Sequence, residues 1–100
     1  FAHLALLRAA SPKPATALAF LRAAHGHAEG LVEAELVHLM DAVASPMERR
    51  AGRYRAQLLV QTGARKALHD FLGVWLTLLE AEKLGRKVRW SLDVDPMEMY

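Results

Sequence analysis

The stretch Gly52–Gln61 constrains this chain more than any other. Its even positions, Tyr54, Ala56, Leu58 and Val60, are apolar; its odd positions, Arg53, Arg55, Gln57 and Gln61, are polar, with Leu59 the exception. A period of two puts alternate side chains on opposite faces of a pleated strand, so the stretch reads as a half-buried strand. One face feeds a core and the other presents two arginines and two glutamines. Because this strand links the two halves of the chain, the remaining segments are read outward from it.

On its C-terminal side, Thr62 is a good helix N-cap. From Ala64 onward, Leu68, Phe71, Leu72, Trp75, Leu76 and Leu79 recur at three and four, which predicts a helix ending at Lys83-Leu84-Gly85 with Phe71 and Trp75 in its core stripe. Val88, Trp90, Leu92 and Val94 then alternate with Arg89, Ser91, Asp93 and Asp95, a last strand stopped by Asp95-Pro96. On the N-terminal side, Leu36–Ala44 reads as a strand closed by Ser45-Pro46, and Pro46–Ala51 as a polar loop. Two strands so joined predict an antiparallel hairpin. Earlier still, Ala17, Leu18, Phe20, Leu21 and Ala24 form a helical stripe. It starts after Ser11-Pro12-Lys13-Pro14 and ends at His25-Gly26-His27, with Gly26 available for a left-handed cap. Ala28–Glu35 reads as a connector. Phe1–Ala10 is ambiguous: its alanines and leucines favour a helix by propensity, but a strand there gives the first helix something to cross over from. The order is then βαββαβ, a two-layer α+β, ferredoxin-like domain with two helices on one face of a four-stranded antiparallel sheet.

A chain of 100 residues, 53 % of them apolar, forms one domain (1–100) with a single core and little room for an elaborate active site. No apolar run reaches the ~20 residues that span a bilayer. There is no cysteine, which excludes a disulfide framework and a thiolate metal site and fits a reducing compartment. The chain opens on Phe1 and shows no leader pattern, so it is taken as a piece of a longer intracellular protein. Net charge is only +2, but ten of the thirteen Lys and Arg residues fall in two acid-free stretches. Arg49, Arg50, Arg53, Arg55, Arg65 and Lys66 precede any acid until Asp70; Lys83, Arg86, Lys87 and Arg89 form the other. Local field of this kind attracts anionic partners whatever the net charge.

Three segments carry a family resemblance: Leu4-Ala5-Leu6-Leu7-Arg8-Ala9, Gly52–Gln61, and Lys87-Val88-Arg89-Trp90-Ser91-Leu92-Asp93-Val94-Asp95-Pro96. In these the chain resembles the C-terminal domain of primosomal protein N′, the bacterial replication restart helicases. One departure is that the family usually has a Gly-Pro-x-Pro type segment where Asp41–Pro46 stands here. The resemblance implies a fold similar to ribosomal protein S10 with the first segment a strand. It implies a cytoplasmic, nucleoid-associated, C-terminal part of a longer helicase. Its expected role is to hold branched or single-stranded DNA and to contact other domains of the same chain. The ATP and zinc sites of such helicases belong elsewhere: there is no Gly-x-x-x-x-Gly-Lys-[Ser/Thr] loop and no cysteine here, so no cofactor and no turnover are expected of this chain alone.

Strand parity puts Arg53 and Arg55 on the face away from Tyr54, and Lys87 and Arg89 on the face away from Trp90. Arg49 and Arg50 extend the patch at the hairpin tip. Such side chains neutralise phosphates and release counterions, giving salt-sensitive binding with little sequence preference. The plainer alternative is a solvated strand face of mixed charge. No aromatic falls on the outward positions of these two strands, which argues against base stacking of the RNA-recognition type. Arg65 and His69 lie one helical turn apart beside Lys66. The resemblance implies that residues at these positions help hold the acidic tail of single-stranded DNA-binding protein; the family has glutamine where His69 stands, and Arg65 offers a fork suited to a carboxylate. His25 and His27 with Glu29 and Glu33 form only a weak metal pattern. Asp93 and Asp95 share a strand face, but a turn and salt bridges to Arg89 explain them more simply than acid–base catalysis. The rival function is a small-molecule-sensing regulatory domain, marked by a dimer whose melting temperature rises with a metabolite.

Overall fold

The alternating stretch is a strand, and four more strands and two helices are arranged around it. The computed structural model describes residues 3–50 and 53–94, with the backbone alone for Pro14 and residues 45–50. In chain order the elements are β1 (His3–Ser11), α1 (Pro14–Glu29), a 3-10 turn (Val32–Leu36), β2 (His38–Leu39) and β3 (Val43–Arg50). They continue with β4 (Arg53–Thr62), α2 (Arg65–Ala81), a second 3-10 turn (Lys83–Arg86) and β5 (Arg89–Val94). β1 pairs antiparallel with β4 on one side and β5 on the other. Since β1 runs along nearly all of β4, both β2 and β3 pair with its opposite edge.

The sheet therefore has five strands, not the expected four. The edge breaks at residues 40–42, between β2 and β3. β3 continues through Ser45-Pro46, where a polar loop was expected. Ala44 lies opposite Ala56 and Arg49 opposite Tyr54, so 45–48 bulge against the single residue Arg55. An outer edge with a bulge is where a strand tolerates a proline, which has no N–H to give to the ladder.

β1 shows tertiary context overriding propensity. Ala5, Leu7 and Ala9 face the helices, while Leu6 between them is buried on the other side. A strand flanked on both edges, with one face buried and Leu6 buried on the other, reads as a nearly continuous apolar run, which alone does not distinguish it from a helix. The core lies between the sheet and both helices, with Ala56, Leu58 and Val60 of β4 meeting Phe20 and Leu21 of α1 and Phe71, Trp75 and Leu79 of α2. Phe71 and Trp75 stack at 5.0 Å between ring centroids, and the Trp75 indole N–H donates to the Ala24 carbonyl at 2.9 Å, joining the helices.

Several boundaries move. α1 runs through Gly26 to Glu29 and ends at Gly30 in a right-handed conformation, so Gly26 caps nothing. Thr62 closes β4 instead of capping α2, whose N-cap is Ala64. Its hydroxyl donates to the Leu36 carbonyl at 2.7 Å and accepts from the Ala64 N–H at 3.2 Å, so it still fixes the approach to the helix.

Candidate nucleic-acid interface and partner groove

The face of the sheet away from the helices carries a row of arginines. Ala10 of β1 lies opposite Arg55 of β4 and opposite Arg89 of β5. Strands sit ~4.8 Å apart, so the two arginine backbones are about 10 Å apart with only a methyl group between them. Arg53 is two residues along β4 on the same face, about 7 Å from Arg55. Among the described residues, no carboxylate pairs with Arg53, Arg55 or Arg89.

The next row is Gln57, Arg8 and Ser91, and beyond it lie Leu59, Leu6 and Asp93. Asp93 is the one carboxylate on this face among the described residues. Its partner is Arg8, with Nη1 3.1 Å from Oδ2, and not Arg89 as expected. Charge reading passed over Arg8 because it stands alone in an apolar segment; the signal was its parity with Ala10 once that segment is a strand.

Lys87 does not belong to the row. It ends the 3-10 turn in a helical conformation, two residues before β5 begins, so strand parity does not apply to it. Arg49 and Arg50 are strand residues of β3, with Arg50 opposite Arg53 in register; their side chains lie outside the described structure. No Phe, Tyr or Trp ring lies on this face among the described residues; His38 of β2, opposite Gln61, stands on it at the outer edge. Trp90 packs on the helix side against Phe20, at 5.7 Å between centroids.

Arg65 and His69 are exposed on α2 and stand at the rim of a groove of about 1020 Å³ between that helix and β5. Its floor is apolar, formed by Leu68, Leu72 and Leu76 of the helix with Trp90, Leu92 and Val94 of the strand. Lys66 and Asp70 complete the rim. The first turn of α2 has no acidic residue, so the positive end of the helix dipole adds to Arg65 and Lys66. Sequence reasoning found the rim and missed the groove, which exists only where α2 packs beside the strand that follows it.

The histidines do not converge on a metal. His25 Nδ1 lies 2.6 Å from Glu29 Oε1, and His27 Nε2 lies 2.8 Å from Glu82 Oε1, so each has its own carboxylate. Glu33 is in the 3-10 turn, and no group of three ligands forms among the described residues. Glu82 has its carboxyl pKa lowered, first by the Leu84 backbone N–H donating to Oε2 at 3.0 Å and then by the His27 side chain. Asp95, the other half of the carboxylate pair, lies outside the described residues. No helix of the described structure is long and apolar enough to cross a membrane.

Comparison with known proteins agrees with the motifs. The sequence model of the family described as Primosomal protein N C-terminal domain matches residues 1–97. Among solved structures, the de novo designed protein Foldit4 superposes with a TM-score of 0.65 at 9 % identity, over 98 % of this chain and 100 % of that one. At that identity the likeness concerns the fold alone.

Proposed function

This chain belongs to the family of primosomal protein N C-terminal domains, which implies a role in the primosome and replication restart. On that premise we propose that it is the DNA- and partner-binding module of a replication restart helicase, non-catalytic by itself and working in the cytoplasm. ATP and zinc are then handled by other domains of the same protein. The antiparallel order, with the broken edge counted as one strand, supports a ferredoxin-like, S10-like reading of the fold.

The observation that carries the proposal is the Arg55–Ala10–Arg89 row with Arg53 beside it, cations without described carboxylate partners on a face without described Phe, Tyr or Trp. Such a face holds the phosphates of branched or single-stranded DNA and reads no bases. Labelled oligo-dT binding followed by fluorescence anisotropy should weaken steeply with salt. Each lost phosphate contact lowers the log–log slope by about 0.7 for single strands, so Arg53→Ala with Arg55→Ala removes up to about 1.4. Salt-independent binding, or none in low salt, overturns the reading.

The groove supports the partner half. Arg65 and Lys66 offer donors to a carboxylate, His69 one more hydrogen bond, and the apolar floor takes a hydrophobic side chain. The acidic tail of single-stranded DNA-binding protein has that chemistry, and Trp90 in the floor is a built-in fluorescent reporter. Equal tail-peptide affinity for wild type and Arg65→Ala removes Arg65 from the account. The size of the groove, near the upper end for ligand clefts, supports the second reading of a metabolite-sensing domain. In that case a metabolite, and not the tail peptide, raises the melting temperature of a dimer.

A further inference from the structure

The nucleic-acid reading leaves unexplained the one ion pair on the open face among the described residues. Arg8 is on the middle strand, two residues from Ala10 and therefore about 7 Å from the line joining Arg55 and Arg89. It is flanked in register by Gln57 and Ser91, two side chains able to hydrogen-bond. Beyond it Leu59 and Leu6 interrupt the polar face, so Arg8 stands at the border of the arginine patch. Asp93 reaches it from that border, and both partners of the pair are about two-fifths exposed, 35 % and 43 %.

We propose that Arg8 is a further phosphate-binding residue and that Asp93 is its internal stand-in ligand, exchanged for a phosphodiester when nucleic acid binds. The inference rests on the nucleic-acid reading above. A guanidinium fork accepts carboxylate and phosphate alike, so the Asp93 carboxylate orients Arg8 as a phosphate oxygen would. A half-exposed pair of this kind is weak, which makes the exchange easy. In the free protein the pair keeps Arg8 extended over the sheet and cancels its charge; in the complex Arg8 completes a triangle with Arg55 and Arg89.

The test is a double-mutant cycle on oligo-dT affinity across a salt series, with thermal melts confirming that each variant is folded. Asp93→Asn removes the competitor and should tighten binding about two- to fivefold, from the strength of exposed pairs, with an unchanged salt slope. Arg8→Ala should weaken binding and lower the slope by about 0.7. In the Arg8→Ala background Asp93→Asn should gain nothing. Glu80→Gln, which removes an exposed acid on α2, should change nothing and controls for net charge. A gain from Asp93→Asn that persists without Arg8 overturns the exchange, because Asp93 then acts as a plain like charge. An unaltered affinity or slope in Arg8→Ala overturns the contact. If Arg55→Ala weakens binding while both Arg8 and Asp93 variants are silent, the inference fails and the nucleic-acid reading stands. If wild type does not bind in low salt, both fall.

Discussion

Glu82 shows how one carboxylate fastens the end of a helix to two neighbours. It caps the turn after α2 through the Leu84 N–H and reaches His27 near the end of α1. Both contacts favour the ionised form, so its folded pKa lies below the usual 4.5. A depressed carboxyl pKa contributes stability that is present above the unfolded value and is lost as pH falls through the folded one. Wild type should therefore melt above Glu82→Gln near neutral pH, and the gap should begin to narrow below about pH 4.5, the unshifted value, and close once pH is below the lowered folded value. A gap independent of pH contradicts this account. Gly85 is set by space instead: a Cβ there stands 3.1 Å from Trp90 Nε1 and 3.4 Å from Phe20 Cε1. Gly85→Ala pushes against a ring pair that closes the core and should cost about 1–3 kcal/mol as overpacking does. Gly26, inside α1 with open space around it, should give the opposite sign: Gly26→Ala gains about 0.5–1 kcal/mol. Thermal melts of the two variants decide, and equal shifts refute the spatial argument.

Elements carry their local signals unequally, and that explains what the sequence shows. The period of two in Arg53–Thr62 and the three–four spacing in Arg65–Ala81 are local, and both elements have the type expected, although the helix stops at Ala81 and a separate 3-10 turn takes Lys83–Arg86. β1 is not legible by propensity, because its apolar run reflects two neighbouring strands and a helix-covered face supplied by distant residues. The Leu36–Ala44 segment misleads in the other direction: its aliphatic content suits a strand, yet only His38–Leu39 pairs before the break. Arg55 and Arg89 were legible as outward by parity, whereas the Arg8–Asp93 pair and the α2–β5 groove depend on which strands become neighbours. Amide hydrogen exchange should rank the strands by the same logic. The amides of β1 and β4, each paired on both sides, should exchange slowest, and those of β2 fastest among the strands, since unpaired or thinly paired backbone opens locally at low cost. Protection of β2 equal to that of β4 contradicts the split edge.

For the whole molecule, the sheet is a wall between the two surfaces proposed for binding. The arginine row lies on the face away from the helices, and the groove lies on the helix side, where Trp90, Leu92 and Val94 of β5 point. Arg89, Ser91 and Asp93 of the same strand point the other way. A protein that meets both DNA and a DNA-bound partner gains from this separation, because neither ligand occupies the place of the other. Coupling between sites is a free energy that requires each ligand to prefer one of two arrangements of a shared element, and reciprocity makes it readable from either side. β5 is the shared element here. It is held by β1 along its length and by the Phe20–Trp90 contact, with Gly85 packed against that ring, which leaves it little room for a second arrangement. Oligo-dT affinity should therefore be the same within about twofold with and without saturating tail peptide, which corresponds to less than ~0.5 kcal/mol of coupling. The peptide affinity measured with and without saturating oligonucleotide must agree with that figure. Anisotropy of the labelled oligonucleotide reads one side and Trp90 fluorescence the other. Mutual exclusion places both ligands on one surface and refutes the two-face arrangement, whereas a reciprocal change above tenfold identifies β5 as a mobile switch and not a fixed wall.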